Sequence, residues 1–500
     1  MLTVFNGVSG RNKLISLLKQ QWFYVFLFFI SVVYFFFPTN NHLVDSVGYA
    51  ADVKYATNLF AAHHLFFTAF NFLIYRSVSF VFPSVDALGL MQGVNALFSV
   101  LNLILLRSIL RKTNTINADV WVVFVAVSFG VFRFSVEAET YIIPIFFSLC
   151  SSYFALRYFT EHNSKYILLS GFFASLACLF HQIQLFWGIG LFLGFVSTRK
   201  IKNVLLYLLP TSLVLIGYVL VLVYYNHETC TGSHLFRFLA QYYYTSNDQT
   251  PVGLNNVLLL FIGLFRTFFQ IHGIIIYVLK WWPAFYILLL ATGVFLAYFI
   301  LNIFKSLKIN KVRAESSFER IHILIFFLQL CFAFFSSGNS EFMVMLPYLM
   351  AMFLPYFFSI SSKSIIYISL AMFVWNFSFA IFPNHKSDYQ NNKQLVDVIN
   401  SNKEKVFIVK ERNLVVNLYY YNYGIMEYAA IVDIENKKAI RKFNEEGKVF
   451  YTDILTKKTP YSRTDFTLGS ANANFLFVRH VTEIENRMGN FYIDEIKVKD

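Results

Sequence analysis

Apolar runs of 18 or more residues recur through the first three quarters of this 500-residue chain. As a helix, each is long enough to cross a bilayer core of about 30 Å. A soluble core has no use for so many, and the charged fraction of 14% lies well below the ~25% of a typical soluble domain. The sequence therefore predicts a polytopic α-helical membrane protein. The runs are continuous and do not alternate between apolar and polar residues, which argues against a membrane β-barrel.

The net charge of +13 fits this class. Lys and Arg collect in short loops between the runs, which is the positive-inside pattern. No basic tract interleaved with aromatics stands outside those loops, so membrane lipids are expected partners and nucleic acid is not. Cys150, Cys178 and Cys331 lie inside apolar runs and Cys230 stands alone in a loop. That spacing supports neither a disulfide framework nor a cysteine metal site. Arg11, Lys13 and Lys19 precede the first run with no small-residue cleavage site after it, which reads as an uncleaved first helix with its N-terminus inside.

Charge then orders the topology. Crossings are expected near 21–37, 86–108, 119–134, 140–159, 166–180, 185–197, 204–225, 283–304, 321–336, 342–359 and 364–382, about eleven in all, with each basic loop inside. The apolar stretch 65–82 is broken by Asn71, Arg76 and Ser77 and is read as an interfacial helix. The segment 226–282, with Arg266, His272 and Lys280, is expected outside as surface or re-entrant helices. Composition changes at Pro383. Residues 1–382 form the membrane domain, with a first external loop at 38–85. Residues 383–500 form an external α/β or α+β soluble domain, with strands at 406–409, 414–421 and 475–481 and helices at 394–403 and 436–444.

Candidate chemistry begins in the first external loop, PTNNHLVDSVGYAADVKYATNLFAAHH from Pro38 to His64. If 44–62 is helical, Asp45, Tyr49 and Asp52 share one face. The plainer reading is an amphipathic surface helix with Asp45 as its N-cap. Other helices also end in polar groups on the same side: Arg133, Glu137 and Glu139 in RFSVEAETY, His181 and Gln182, and Asn339 and Glu341. Two carboxylates could divide the work, one as general base and one holding a divalent metal ion or another cation. For Glu137 and Glu139 the plainer reading is a surface turn at a helix start, where acids favour the dipole. For His63, His64 and His181 it is interfacial hydrogen bonding.

The arrangement resembles the GT-C superfamily of polytopic membrane glycosyltransferases, in the layout of mannosyl- and arabinosyltransferases. The motifs are VDSVGYAADVKY followed by HHLFF in a large first loop, VEAETY after the third helix, and a C-terminal external domain. The resemblance implies transfer of a sugar from a polyprenyl-phosphate carrier to a glycan, lipid or protein acceptor at the external face, with inversion. It puts the general base at Asp45, with Asp52 as the alternative, and the second acid at Glu137 or Glu139. Family members often carry an adjacent acidic pair in this loop, and here Ser46 follows Asp45. Substrate contacts are expected from Tyr49, His63, His64, Arg133, His181, Gln182, Arg266 and Glu341; Arg76 and Lys280 are further candidates for the phosphate. The cofactor is left open, with a divalent metal ion as the candidate. The implied location is a bacterial inner (plasma) membrane, with the active site and C-terminal domain on the periplasmic or extracellular side. The competing reading is a transporter or flippase of a lipid-linked or anionic substrate, which would place ionisable groups near the bilayer midplane.

Overall fold

The computed structural model describes residues 7–241, 253–271, 274–310, 317–390, 392–409, 412–422, 431–434, 436–452, 475–485, 487 and 490–499. Apolar helices stand at all eleven positions expected for crossings. Among the described residues, seven helices are long and apolar enough to span a membrane, and a bent pair makes an eighth. Gln21–Phe36, Lys165–Phe180 and Gln182–Val196 are shorter apolar helices. The helix Phe67–Val81 covers 15 residues, about 22 Å, with Arg76 and Ser77 exposed. In the segment 226–282, helices run over Gly232–Leu239, Leu254–Phe268 and Ile274–Trp281. The polar stretch 242–252 and His272 lie outside the described residues.

Small and hydroxylated residues set the closest helix contacts, since lipid gives apolar side chains no reason to prefer protein. Ser151 Oγ donates to the Ser170 carbonyl (2.7 Å) and Ser170 Oγ to the Ser151 carbonyl (3.0 Å), which ties Ile142–Glu161 to Lys165–Phe180. Gly171 lets the latter helix approach Ile201–Leu220 so closely that a Cβ would stand 2.4 Å from the Tyr207 carbonyl oxygen.

The third crossing is not the continuous helix expected over 119–134. It consists of Ala118–Val127 and Phe129–Ser135, bent by 66° at Ser128, whose backbone is extended (φ −61°, ψ 135°). The Val127 carbonyl released at the break accepts from Asn376 Nδ2 (2.9 Å). A polar side chain from a neighbouring helix thus satisfies backbone that lipid could not.

After the last membrane helix the chain forms a five-stranded mixed sheet. Two-residue strands β1 (Lys308–Ile309) and β2 (Phe358–Ser359) pair separately in the membrane part. In the sheet, β3 (Val406–Val409) is parallel to both β4 (Ile431–Asp433) and β5 (Phe450–Thr452). β7 (Phe491–Val498) runs antiparallel to β5 and to β6 (Phe475–Ile484), giving the order β4-β3-β5-β7-β6. Helices Asn392–Ser401 and Lys437–Glu445 match expectation.

The stretch 414–421, expected as a strand, belongs to a helix, Arg412–Tyr421. Its β-branched and aromatic residues favour a strand only weakly, and tertiary contact overrides that preference. Leu418 and Tyr420 are buried, and the Tyr420 carbonyl accepts from Lys54 Nζ (3.1 Å) and Tyr55 OH (2.6 Å) of the first loop.

Candidate active site

The first loop contains a helix over Val44–Tyr55, shorter than the 44–62 envisaged. Ala56 adopts a left-handed backbone (φ 56°) and ends it. The residue at the N-cap is Leu43, so Asp45 is not the cap; it stands exposed in the first turn. Ser46, Val47, Ala50, Ala51 and Val53 make the buried face, which leaves Asp45, Tyr49 and Asp52 on the other side.

Glu137 and Glu139 do not occupy a surface turn: both are buried. The turn that carries them is held by a polar stripe on Ala87–Lys112. Gln92 Nε2 donates to the carbonyls of Thr39 (3.0 Å) and Val136 (3.2 Å). Asn95 Nδ2 donates to those of Glu137 and Glu139 (2.7 Å each), and Asn102 Nδ2 to that of Ile142 (3.1 Å). Backbone that is neither helical nor solvated is thereby satisfied, which is what allows a bent loop here. The other wall is tied down by the last membrane helix, where Asn41 Nδ2 donates to the carbonyls of Asn384 (3.0 Å) and Ser387 (2.6 Å).

The side chains then meet. Arg133 Nη2 donates to Glu137 Oε2 (2.7 Å), and His42 Nδ1 lies 3.2 Å from Glu137 Oε1. Ser46 Oγ donates to Glu139 Oε1 (3.1 Å). Tyr141 OH donates to Glu341 Oε2 (3.1 Å) from across the cluster. Burial, and then the carboxyl groups of Glu341, Glu137 and Asp45, hold Glu139 well above the usual carboxylate range, with the Ser46 hydroxyl acting in the opposite direction. Four carboxyl groups from three stretches of chain therefore share one site.

Next to them lies an aromatic and imidazole layer. Tyr49 meets His64 edge-on (4.7 Å between ring centroids), and His181 lies 6.5 Å from His64 and 5.2 Å from Tyr141. Burial, then the neighbouring His63, lowers His64 to about 4. Burial, then His64 and His63, puts His181 well below the ordinary histidine value, so both rings are neutral. His181 Nδ1 accepts from the Ile183 amide (3.2 Å), which places its proton on Nε2. His64 Nδ1 is buried with no hydrogen-bond partner among the described residues. Burial alone lowers His63, which is half-buried.

Arg266 is half-buried on Leu254–Phe268, a helix that packs against Phe129–Ser135 and the turn Ser340–Met343, the elements that carry Arg133 and Glu341. Two predicted residues turn away from the acids. Gln182 Nε2 donates to Tyr218 OH (2.9 Å) and the Leu239 carbonyl (3.1 Å), a structural pairing. Asp52, about two turns beyond Asp45, accepts from Thr57 Oγ1 (2.9 Å) and Asn58 Nδ2 (3.3 Å). Arg76 and Lys280 are exposed on other helices. Among the described residues, no group of three or more His, Cys, Asp or Glu could hold a metal ion.

His42, Ser46, Tyr141 and the stripe of Gln92, Asn95, Ser99 and Asn102 were not among the predicted site residues. The stripe was visible as polar residues spaced three and four apart within an apolar run.

No family model matches the chain, and no curated protein does. Among solved structures it is similar to the oligosaccharyltransferase of Archaeoglobus fulgidus complexed with Zn and sulfate (11% identity, TM-score 0.46, 86% of this chain and 68% of that one). It is similar to ArnT from Cupriavidus metallidurans in the apo state (11% identity, TM-score 0.41, 95% and 98%). It is also similar to AglB from Archaeoglobus fulgidus in complex with an inhibitory peptide and a dolichol-phosphate (11% identity, TM-score 0.44, 95% and 74%).

Proposed function

We propose that the protein is a membrane glycosyltransferase that moves a sugar from a polyprenyl-phosphate carrier to an acceptor hydroxyl, with Asp45 as general base. The observation that most supports this reading is the convergence of Asp45, Glu137, Glu139 and Glu341 around Tyr141 and Arg133. A base must be ionised and reachable. Burial and the neighbouring carboxyl groups disfavour the ionised form of Glu139, and Glu137 is engaged by Arg133 and His42. Asp45 is the acid that stands exposed at the cluster's edge.

In the proposed step the Asp45 carboxylate takes the acceptor's hydroxyl proton as the oxygen attacks the anomeric carbon. The bond from that carbon to the phosphate oxygen breaks, the electron pair leaves with the polyprenyl phosphate, and the single displacement inverts the anomeric centre. Arg133 and Arg266 offer planar guanidinium groups suited to a phosphate. Tyr49, His64 and His181 offer ring faces and hydrogen-bonding nitrogens to a sugar. The external side of the membrane is the proposed location of the site and of the C-terminal domain.

A transporter would hold its ionisable groups near the bilayer midplane. Here Glu137 and Glu139 precede the helix Ile142–Glu161, Glu341 lies in a turn, and Asp45 opens a loop helix, which favours the enzyme. The test is Asp45→Asn, assayed in membranes with radiolabelled polyprenyl-phosphate mannose and arabinose. Transfer should fall by about 10²–10⁴-fold, the usual worth of a general base, with expression and melting temperature unchanged. Full activity in this variant would overturn the assignment of the base. Movement of the carrier lipid across vesicles without transfer would favour the flippase.

A further inference from the structure

At the end of Ile142–Glu161 remote from the acid cluster lies a cavity of about 470 Å³ lined by basic residues, among them Arg199, Lys200 and Lys202. That helix has 20 residues, about 30 Å at 1.5 Å per residue, so the cavity and the acids stand at opposite faces of a bilayer core. The exposed side chains of Arg199, Lys200 and Lys202 meet at the turn between Leu185–Val196 and Ile201–Leu220.

Two acids at this end are already matched. Asp119 holds Arg107 and Arg111, and Glu161 holds Arg157 and Lys112. Among the described residues, none of the three cavity cations makes an ion pair with a carboxylate. The cavity's inner wall is neutral and polar. Buried Asn203 donates through Nδ2 to buried Tyr158 OH and to Thr198 Oγ1 (3.0 Å), and His162 stands at the rim. The outer wall continues into apolar surface: Val196, Ile201, Leu205, Leu208 and Leu209 are exposed. Only 22% of the spanning window of the helix starting at Ile201 is buried by protein.

A concave site with three unneutralised cations, a polar floor and an apolar flank suits a molecule with a phosphate head and acyl chains. We propose that this cavity binds the headgroup of an anionic phospholipid at the membrane face opposite the acid cluster, with the acyl chains lying along Ile201–Leu220. Phosphate would be gripped by Arg199, Lys200 and Lys202, and headgroup hydroxyls by Asn203 and Tyr158. Basic pockets between membrane helices are suited to such headgroups. The apolar flank selects a lipid over a free phosphate ester.

The test uses the full-length protein in mild detergent, titrated with phosphatidylglycerol or phosphatidylcholine and read by native mass spectrometry. Phosphatidylglycerol should be retained in preference to phosphatidylcholine. Each Lys or Arg near an anionic surface is worth roughly fivefold in binding, so R199Q/K200Q/K202Q should weaken retention about a hundredfold. Lys202→Gln alone, expected to cost about fivefold, keeps the test open if the triple variant does not fold. K305Q/K308Q, at the end of Phe285–Ser306 and in β1, should leave retention unchanged. Equal losses in the two multiple variants would show diffuse surface charge and overturn the proposal. So would inorganic phosphate displacing phosphatidylglycerol at matched concentration, because it would mark a site for the free anion.

Discussion

Glu137 is a carboxylate sealed from water, and Arg133 at 2.7 Å with His42 at 3.2 Å stands in for the lost hydration. Truncating one partner of a buried pair leaves the other charge stranded, at about 3–5 kcal/mol, whereas removing both costs much less. Arg133→Gln should therefore destabilise the detergent-solubilised protein by that amount, and R133Q/E137Q should recover most of it in thermal or denaturant unfolding. Equal losses in the two variants would show that the pair is not coupled. Asp52 answers to a different variable. Burial raises its carboxyl from 3.8 to about 6, against hydrogen bonds from Thr57 and Asn58 that favour the ionised form. Folding thus favours the protonated acid. Its contribution is full below the unfolded value and is lost as pH rises through about 6. The melting temperature of the wild type should fall relative to Asp52→Asn between about pH 4 and 7, and parallel curves would refute the shift. Sequence spacing placed Asp45, Tyr49 and Asp52 on one helical face, but it could not separate their roles. That separation depends on where the helix stops: Ala56 ends it and Thr57 turns back onto Asp52.

Among the elements, the membrane helices were legible because a bilayer demands long apolar runs whatever packs beside them. The errors fall where tertiary contacts decide. The bend at Ser128 depends on Asn376, which lies 249 residues away from the carbonyl it satisfies, and no local pattern announces it. The helix Arg412–Tyr421 exists against the strand preference of its Val and Tyr residues because its last-turn carbonyl at Tyr420 finds donors on Lys54 and Tyr55. Helix ends carry such unsatisfied carbonyls, so the first loop and the C-terminal domain complete one another. Helix packing gives the element-level prediction. A Cβ at Gly171 would meet the Tyr207 carbonyl oxygen at 2.4 Å and Pro210 Cγ at 2.9 Å, whereas nothing lies within 4 Å of one at Gly293. Backbone cannot yield as a flexible side chain does, so Gly171→Ala should destabilise by about 1–3 kcal/mol. Gly293→Ala should be neutral or slightly stabilising, because Ala is about 1 kcal/mol better than Gly within a helix. Equal melting temperatures for the two variants would contradict the close approach of Lys165–Phe180 to Ile201–Leu220.

On the scale of the molecule, charge is sorted along the membrane helices. Asp45, Glu137, Glu139 and Glu341 gather at one end, while Arg199, Lys200 and Lys202 line a cavity at the other. The basic loops made that sorting readable in the sequence. That the acids join in one site was not readable, because it depends on side chains buried in a loop held by Gln92 and Asn95. The C-terminal domain belongs to the acid end, since Tyr420 bonds to the first loop and its hydroxyl to Asp86. A single helix of 20 residues, Ile142–Glu161, separates the two ends, so exposed positions at each should face different compartments. Glu404 and Lys200 are both exposed, and Cys230 and Cys331 are the exposed native thiols that must first be replaced by Ser. In that background, a membrane-impermeant maleimide applied to sealed vesicles should label Glu404→Cys from one side only and Lys200→Cys only after the membrane is permeabilised, with the order reversed in inverted vesicles. Labelling of both positions from the same side would mean that the chain does not cross the membrane between its acid cluster and its basic cavity, and the proposed reaction and the proposed lipid site would then have to share one face.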